Sequence, residues 1–119
     1  MAVILVSDDE QNCRDSVQKV LEREGHDVEA VETVDAALER ISARKFDLIV
    51  CDYRMPGKTG IDLLLELGKR GSAVPVIIIS AYADHNTEIT ARAMGAVELL
   101  RKPIRRKDLI ESVTKSIGQ

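Results

Sequence analysis

The stretch that decides the fold is Lys45-Phe46-Asp47-Leu48-Ile49-Val50-Cys51-Asp52-Tyr53-Arg54-Met55-Pro56-Gly57-Lys58-Thr59-Gly60. Residues 48–51 form an unbroken apolar run that is rich in β-forming side chains. Such a run is typical of a strand that is covered on both faces, as in a parallel sheet. It ends at a carboxylate, Asp52, and a proline and a glycine then break the backbone before a helical pattern begins at Gly60. An acid at the carboxyl end of a buried strand lies where open α/β sheets bind ligands, although Asp is also common in turns.

The length and composition of the chain predict a single domain. The chain has 119 residues, of which 45% are hydrophobic and 31% charged, without the bias of a disordered segment. We therefore interpret residues 1–119 as one domain. The formal net charge is −3, which argues against direct binding of nucleic acid by this domain. The longest apolar run, residues 74–83, is too short to span a bilayer, so we expect no contact with a membrane.

The two cysteines and the N-terminus indicate the compartment. Cys13 and Cys51 fall inside predicted elements, and we expect them to be free thiols in a reducing cytoplasm. No basic segment precedes the first apolar run, so the sequence shows no secretory signal. We therefore expect a cytoplasmic protein.

Five short apolar runs alternate with five helical patterns along the chain. The runs cover residues 2–6, 27–31, 48–51, 74–79 and 97–100. Such alternation with short connections predicts a doubly wound α/β fold, in which a five-stranded parallel sheet carries helices on both faces. The expected strand order is 2-1-3-4-5, as in flavodoxin-like folds, and it opens a crevice between strands 1 and 3.

Polar residues follow four of these strands at one edge of the predicted sheet. Asp8 and Asp9 follow strand 1, Asp52 ends strand 3, Ser80 ends strand 4, and Lys102 follows strand 5. Each has an ordinary interpretation alone: helix N-capping for the acid pair, a turn for the serine, solvated surface for the lysine. Because the carboxyl ends of parallel strands meet at one edge, we expect all five side chains to share one crevice.

This combination of side chains predicts phosphoryl chemistry. Three neighbouring carboxylates repel one another, and a hard cation such as Mg²⁺ relieves the repulsion. Asp52 would be the nucleophile that forms an aspartyl phosphate, with Mg²⁺ neutralising charge on the phosphoryl oxygens. Lys102 would hold another phosphoryl oxygen, and Ser80 would donate a hydroxyl hydrogen bond.

Five short motifs, in this order and spacing, resemble the response-regulator receiver domains of two-component signalling, as in the chemotaxis regulators. They are residues 4–10, residues 52–60, residues 79–81, Gly95-Ala96 and Lys102-Pro103, so the resemblance covers essentially the whole chain. It implies that Asp52 accepts a phosphoryl group from the phosphohistidine of a histidine kinase or phosphotransfer protein. It also implies that Asp9 and Asp52 bind Mg²⁺ directly, with the backbone carbonyl of Arg54 as a third protein ligand. Asp8 would act mainly through water, and a cis peptide bond would precede Pro103.

The resemblance further implies a switch. Phosphorylation would change a protein-interaction surface built by helix 4, strand 5 and helix 5, which would contact an output domain or a target protein. Leu99 stands where the family usually has an aromatic residue, so we expect a weakly coupled switch. Arg54 and Tyr82 stand two residues beyond Asp52 and Ser80, at positions that line the path of the attacking water in the family. Their large side chains would either shield the phosphoryl group or be solvated loop surface.

A basic cluster follows the fifth strand. Its members are Arg101, Lys102, Arg105, Arg106 and Lys107. No aromatic residue is interleaved with these cations, and the domain as a whole is acidic. Apart from Lys102, we interpret them as solvated surface or as the rim of a protein-docking site.

Two alternatives remain open from the sequence. A degenerate receiver of the same fold would act as a protein-interaction module without being phosphorylated. A doubly wound Mg²⁺-dependent phosphohydrolase would carry a second Asp two residues after the nucleophile, where this chain has Arg54. Whether the domain is an enzyme also stays open, because it would catalyse its own phosphotransfer and dephosphorylation without turnover. The sequence does not decide between a stand-alone regulator and a segment of a longer one.

Overall fold

The computed structural model describes residues 1–55, 57–81 and 85–118. The strands in this part of the chain are β1 (Val3–Ser7), β2 (Asp27–Val31), β3 (Leu48–Asp52), β4 (Val76–Ser80) and β5 (Glu98–Arg101). The helices are α1 (Gln11–Arg23), α2 (Val34–Ala43), α3 (Gly60–Lys69), α4 (His85–Ala93) and α5 (Arg106–Gly118). Strands and helices alternate without exception across these ranges, as the sequence predicts.

The strands form one parallel sheet in the order β2-β1-β3-β4-β5. The predicted flavodoxin-like topology is therefore confirmed. β3 is buried along its whole length, which accounts for its lack of polar residues before Asp52. β4 begins at Val76, so the prediction that this strand starts at residue 74 is wrong. Pro75 has no N–H to donate to a sheet ladder, and only its carbonyl is used, accepting a hydrogen bond from Ile49 N at 3.0 Å.

The two faces of the sheet carry separate apolar clusters. Because successive side chains of a strand point to opposite faces, Ile49 and Val50 belong to different clusters. The first cluster buries β-strand side chains against α2, α3 and α4, and includes Ala37, Leu63 and Ala91. The second buries them against α1 and α5, and includes Val17, Leu21, Leu109 and Val113. Helices thus cover both faces, and the carboxyl edge of the sheet is left for the loops.

Local sequence features fix the loops at that edge. Thr59 caps α3 with a reciprocal capping box, in which its hydroxyl accepts from Asp62 N and the Asp62 carboxylate accepts from Thr59 N. Gly60 begins the helix, and a Cβ there would lie 3.0 Å from the carbonyl oxygen of Asp52. The glycine therefore allows α3 to start directly behind the end of β3. The peptide bond between Lys102 and Pro103 is cis, as the resemblance implies.

None of the helices found in residues 1–55, 57–81 and 85–118 has the length and apolar character that crossing a membrane requires.

Candidate functional site

Three carboxylates meet at the carboxyl edge of the sheet, in the crevice between β1 and β3. Asp8, Asp9 and Asp52 each offer one oxygen, and these oxygens lie within 4.8 Å of one another. Asp8 and Asp52 are buried, with 2% and 6% exposure, whereas Asp9 is exposed. A donor set of carboxylate oxygens with one open side fits a hard divalent cation that keeps several waters, such as Mg²⁺.

Asp52 is held by the backbone on both sides of it. Its own strand pairs with β4, and the next residue, Tyr53, donates its N–H to Ile79 O at 2.7 Å. Arg54 N lies 3.4 Å from Asp52 Oδ1, at the outer limit of a hydrogen bond. The Asp52 side chain therefore has a defined direction into the crevice, and the backbone of Arg54 lies beside it. The Arg54 residue is exposed.

Lys102 brings an ammonium group into the same crevice. Its backbone N–H donates to Ser80 O at 3.0 Å, which ties the loop after β5 to the end of β4. Its Nζ donates to Asp52 Oδ2 at 3.0 Å and lies 3.3 Å from Asp8 Oδ2. The side chain of Lys102 is only 16% exposed. One partly buried ammonium is thus shared between two buried carboxylates.

The charges in the crevice shift the pKa values of both main partners. Burial raises the pKa of Asp52 to about 6, an effect that hydrogen bonding to Lys102 lessens and the charge of Asp8 increases. Burial lowers the pKa of the Lys102 ammonium, but its hydrogen bond to Asp52 and the charges of Asp52 and Asp8 outweigh this, so that the net direction is upward. Lys102 therefore stays protonated, and Asp52 is ionised at neutral pH at a cost that a cation would reduce.

The turn from β1 into α1 is built around Asp8. Its Oδ1 accepts from Glu10 N at 2.9 Å, and its carbonyl accepts from Arg14 Nη1 at 2.8 Å. The N-cap residue of α1 is Glu10, whose side chain makes no capping hydrogen bond. Side-chain N-capping therefore does not explain the acid pair Asp8-Asp9.

Ser80 and Tyr82 are the two other residues that the sequence analysis placed near the phosphoryl group. Ser80 ends β4 and is buried, with 1% exposure, so its hydroxyl lies inside the protein at the crevice edge of the sheet. Tyr82, expected to flank the phosphoryl group, lies outside the described residues.

The structure also places Glu10 at the site, a residue that the sequence analysis did not select. Glu10 Oε1 lies 3.7 Å from Lys102 Nζ, and the only sequence signal for it is a third acid in the run 8–10.

Most of the chain is similar to proteins of one known family. Residues 4–114 match the family model described as "Response regulator receiver domain". The two-component response regulator PhoP of Pseudomonas aeruginosa is 34% identical over 89% of the chain, which corresponds to 47% of that protein. The KDP operon transcriptional regulatory protein KdpE of Escherichia coli is 37% identical over 87% of the chain and 45% of that protein. The chain therefore spans less than half of the length of these two relatives.

A solved structure shows the same fold along nearly the whole chain. The receiver domain of the Francisella response regulator 1452 superimposes with a TM-score of 0.93 and is 31% identical. The match covers 98% of this chain and 97% of that one.

Proposed function

Since the chain belongs to the response regulator receiver domain family, we propose that it accepts a phosphoryl group on Asp52 from a histidine kinase or a phosphotransfer protein. The observation that carries this proposal is the meeting of Asp8, Asp9 and Asp52 with Lys102 at the ends of separate strands. A degenerate receiver would have no need of a buried Asp52 whose pKa is raised by burial and by the charge of Asp8, so this arrangement argues against that alternative.

In the proposed transfer, the nucleophile is the Asp52 carboxylate. One of its oxygens forms a bond to phosphorus while the bond from phosphorus to the donor's imidazole nitrogen breaks, and the electron pair stays with the imidazole. Asp8, Asp9, Asp52 and the Arg54 carbonyl would hold Mg²⁺, with Asp8 acting mainly through water. When bound, Mg²⁺ supplies neutralisation of the charge on the phosphoryl oxygens. In a later step a water oxygen would bond to phosphorus while the bond from phosphorus to the Asp52 oxygen breaks, releasing inorganic phosphate and restoring the carboxylate. This hydrolysis would make the modification transient without making the domain a turnover enzyme.

Lys102 and Ser80 would contact the phosphoryl group on Asp52. The Lys102 ammonium, which contacts Asp52 in the unmodified protein, would then hold a phosphoryl oxygen as a point charge. The buried Ser80 hydroxyl at the end of β4 would donate a hydrogen bond to another phosphoryl oxygen. These two residues thus couple the state of Asp52 to the ends of β4 and β5.

The surface that would change is formed by α4, β5 and α5. Ile89 on α4 and Val97 before β5 are exposed, with 53% and 40% exposure. Glu98 on β5 lies 3.9 Å from Arg92 of α4 and 3.4 Å from Lys115 of α5, so ion pairs join the three elements. We propose this face, apolar with a charged rim, as the contact for an output domain or target protein. The cytoplasm is the proposed location, in keeping with the free thiols of Cys13 and Cys51.

The function is tested by labelling with a small phosphodonor. Incubation with acetyl phosphate and Mg²⁺ should add one phosphoryl group to the protein by intact mass. Asp52→Asn should abolish the addition, whereas Asp27→Asn, which removes a carboxylate at the amino end of the edge strand β2, should leave it unchanged. Normal labelling of Asp52→Asn, or no labelling of the unmodified chain, contradicts the proposal.

A further inference from the structure

The Lys102 ammonium contacts the same carboxylates that would bind the divalent cation. Its Nζ is 3.0 Å from Asp52 Oδ2 and 3.3 Å from Asp8 Oδ2. An ammonium and a divalent cation that share these oxygens at such distances repel each other strongly in a partly buried site. Lys102 therefore has to move away from at least one carboxylate when the cation binds. Because its side chain is only 16% exposed, water near its present position compensates little of the lost contact.

Glu10 offers Lys102 another partner on the solvent side of the crevice. Its Oε1 lies 3.7 Å from Lys102 Nζ, and its side chain is 63% exposed, compared with 3% and 8% for Asp8 and Asp52. The Glu10 carboxylate makes no capping bond to α1. The residue is nevertheless fixed in place, because its backbone N–H donates to Asp8 Oδ1 at 2.9 Å. A small movement of the Lys102 side chain outward would thus exchange a contact with a buried acid for one with Glu10.

We propose that Glu10 is a positioning residue that takes up the Lys102 ammonium when Mg²⁺ enters the acidic crevice, and thereby strengthens Mg²⁺ binding. The inference rests on the proposed Mg²⁺ site. It adds a residue with no ligand role, which acts only through Lys102. An ion pair as exposed as this one supports about a two- to fivefold change in the dissociation constant of Mg²⁺.

The test measures Mg²⁺ binding without any phosphodonor. Mg²⁺ would be titrated into the metal-free protein, and the dissociation constant taken from amide chemical shifts near the crevice. The proteins compared are the unmodified chain, Glu10→Gln, Lys102→Met, the double variant, and Glu24→Gln as the control. Glu24 is an exposed acid at the other end of α1, so its variant has the same net charge as Glu10→Gln and should keep the original dissociation constant.

The proposal predicts that Glu10→Gln raises the dissociation constant about two- to fivefold while Lys102 is present, and leaves it unchanged in the Lys102→Met background. An equal rise in both backgrounds means that Glu10 acts by its charge on the cation alone, and overturns the inference. No rise in either background overturns it as well, although the Mg²⁺ site itself then stands. If the unmodified chain binds no Mg²⁺, the proposed function loses its metal site and the inference falls with it. The amide spectra of the metal-free variants show directly whether each has kept the fold.

Discussion

Two clusters of charge lie at different edges of this sheet, one along the edge strand β2 and one at the carboxyl ends of β1 and β3, and they are built differently. At the β2–α2 edge, the carboxylates of Asp27 and Glu29 face the guanidinium groups of Arg40 and Arg44. In the crevice, Asp8, Asp9 and Asp52 lie together, and Lys102 is the cation among them. The first cluster is balanced and partly exposed, whereas the second has an excess of acid and is largely buried.

The pKa values show the consequence of this difference. Hydrogen bonds from Arg40 and Arg44 lower the pKa of Glu29. The folded protein therefore favours the ionised form of this carboxylate. Burial raises the pKa of Asp52, so its charged form is disfavoured, even beside Lys102. A cluster that stabilises its own charges needs no ligand, whereas one that destabilises them is ready to bind a cation. The balanced cluster therefore contributes to stability, whereas the crevice has the charge balance that the proposed function requires.

Removal of Mg²⁺ should affect the crevice alone, and this is the largest effect that we expect. Chelation should reduce labelling by acetyl phosphate by about two orders of magnitude or more, because several kcal/mol of charge stabilisation are lost. Mg²⁺ titration should shift the amide signals of residues near 8–10, 52–54 and 102. Signals from Glu29 and Arg40 serve as the internal control and should stay in place. Full labelling in the presence of a chelator, measured by intact mass, would contradict the claim that the crevice, unlike the balanced cluster, needs a bound cation.

Neutralising one acid in each cluster should change stability in opposite directions. The folded protein binds more protons at Asp52 than the unfolded chain does between pH about 4 and about 6, because the pKa is raised from 3.8 to about 6. Stability therefore falls as pH rises through this window, and the loss is complete above it. Asp52→Asn should stabilise the metal-free protein at pH 7.5 by about 1 to 2 kcal/mol, and the gain should disappear at pH 4.

Glu29→Gln is the matched variant in the balanced cluster. Because the pKa of Glu29 is lower in the folded protein than in the unfolded chain, its ionisation stabilises the fold at pH values above the unfolded-state pKa. This contribution is lost as the pH falls through the pKa of the folded protein. The variant should be less stable at pH 7.5 by about 0.5 to 1 kcal/mol, an amount limited by solvent screening. Urea denaturation of both variants at the two pH values checks the signs. If both variants lose stability at pH 7.5, the charge of Asp52 stabilises the fold as that of Glu29 does, and the contrast between the two clusters is wrong.

The acids of the crevice should themselves be unequal. Both oxygens of Asp8 already have partners, since Oδ1 accepts from Glu10 N and Oδ2 lies 3.3 Å from Lys102 Nζ, whereas Asp9 is exposed. This difference favours Asp9 for direct coordination of Mg²⁺ and Asp8 for contact through water. Asp9→Ala should therefore weaken Mg²⁺ binding by about tenfold, and Asp8→Ala by less. Calorimetric titration measures both. Equal losses, or a larger one for Asp8→Ala, contradict the division of roles.

The smallest expected effect concerns the passage of the signal to the α4–β5–α5 face. Leu99 is half-buried and packs against the apolar cluster on the sheet face that α4 covers. Its side chain has no polar group that could exchange hydrogen-bond partners. Amide shifts on adding a phosphate mimic should reach this face but be intermediate in size, and Leu99→Tyr should enlarge them along the same direction. Leu100→Tyr, on the opposite side of β5, is the control. Shifts that stop at the crevice place the output surface elsewhere.

Much of this arrangement follows from the sequence by physical rules. The apolar run 48–51 is typical of a strand buried on both faces, and the alternation of elements predicts the topology that brings Asp8 and Asp52 together. The contact between Glu10 and Lys102 could not be foreseen, because it depends on the direction of two long side chains in separate loops. The pairing of Arg44 with Asp27 and Glu29 was equally hidden, since it arises from how α2 ends beside the edge strand. Long charged side chains have many rotamers, and only the packed structure selects among them.

The central claim, that the acidic crevice accepts a phosphoryl group on Asp52, is tested most directly by locating the modification. Borohydride reduction after labelling converts an aspartyl phosphate into homoserine, which survives digestion. Trypsin should then release residues 46–54, a peptide that contains both Asp47 and Asp52. We predict homoserine at position 52, formed only when Mg²⁺ is present, with Asp47 unchanged. Homoserine at Asp47, Asp8 or Asp9 with position 52 intact would contradict the account.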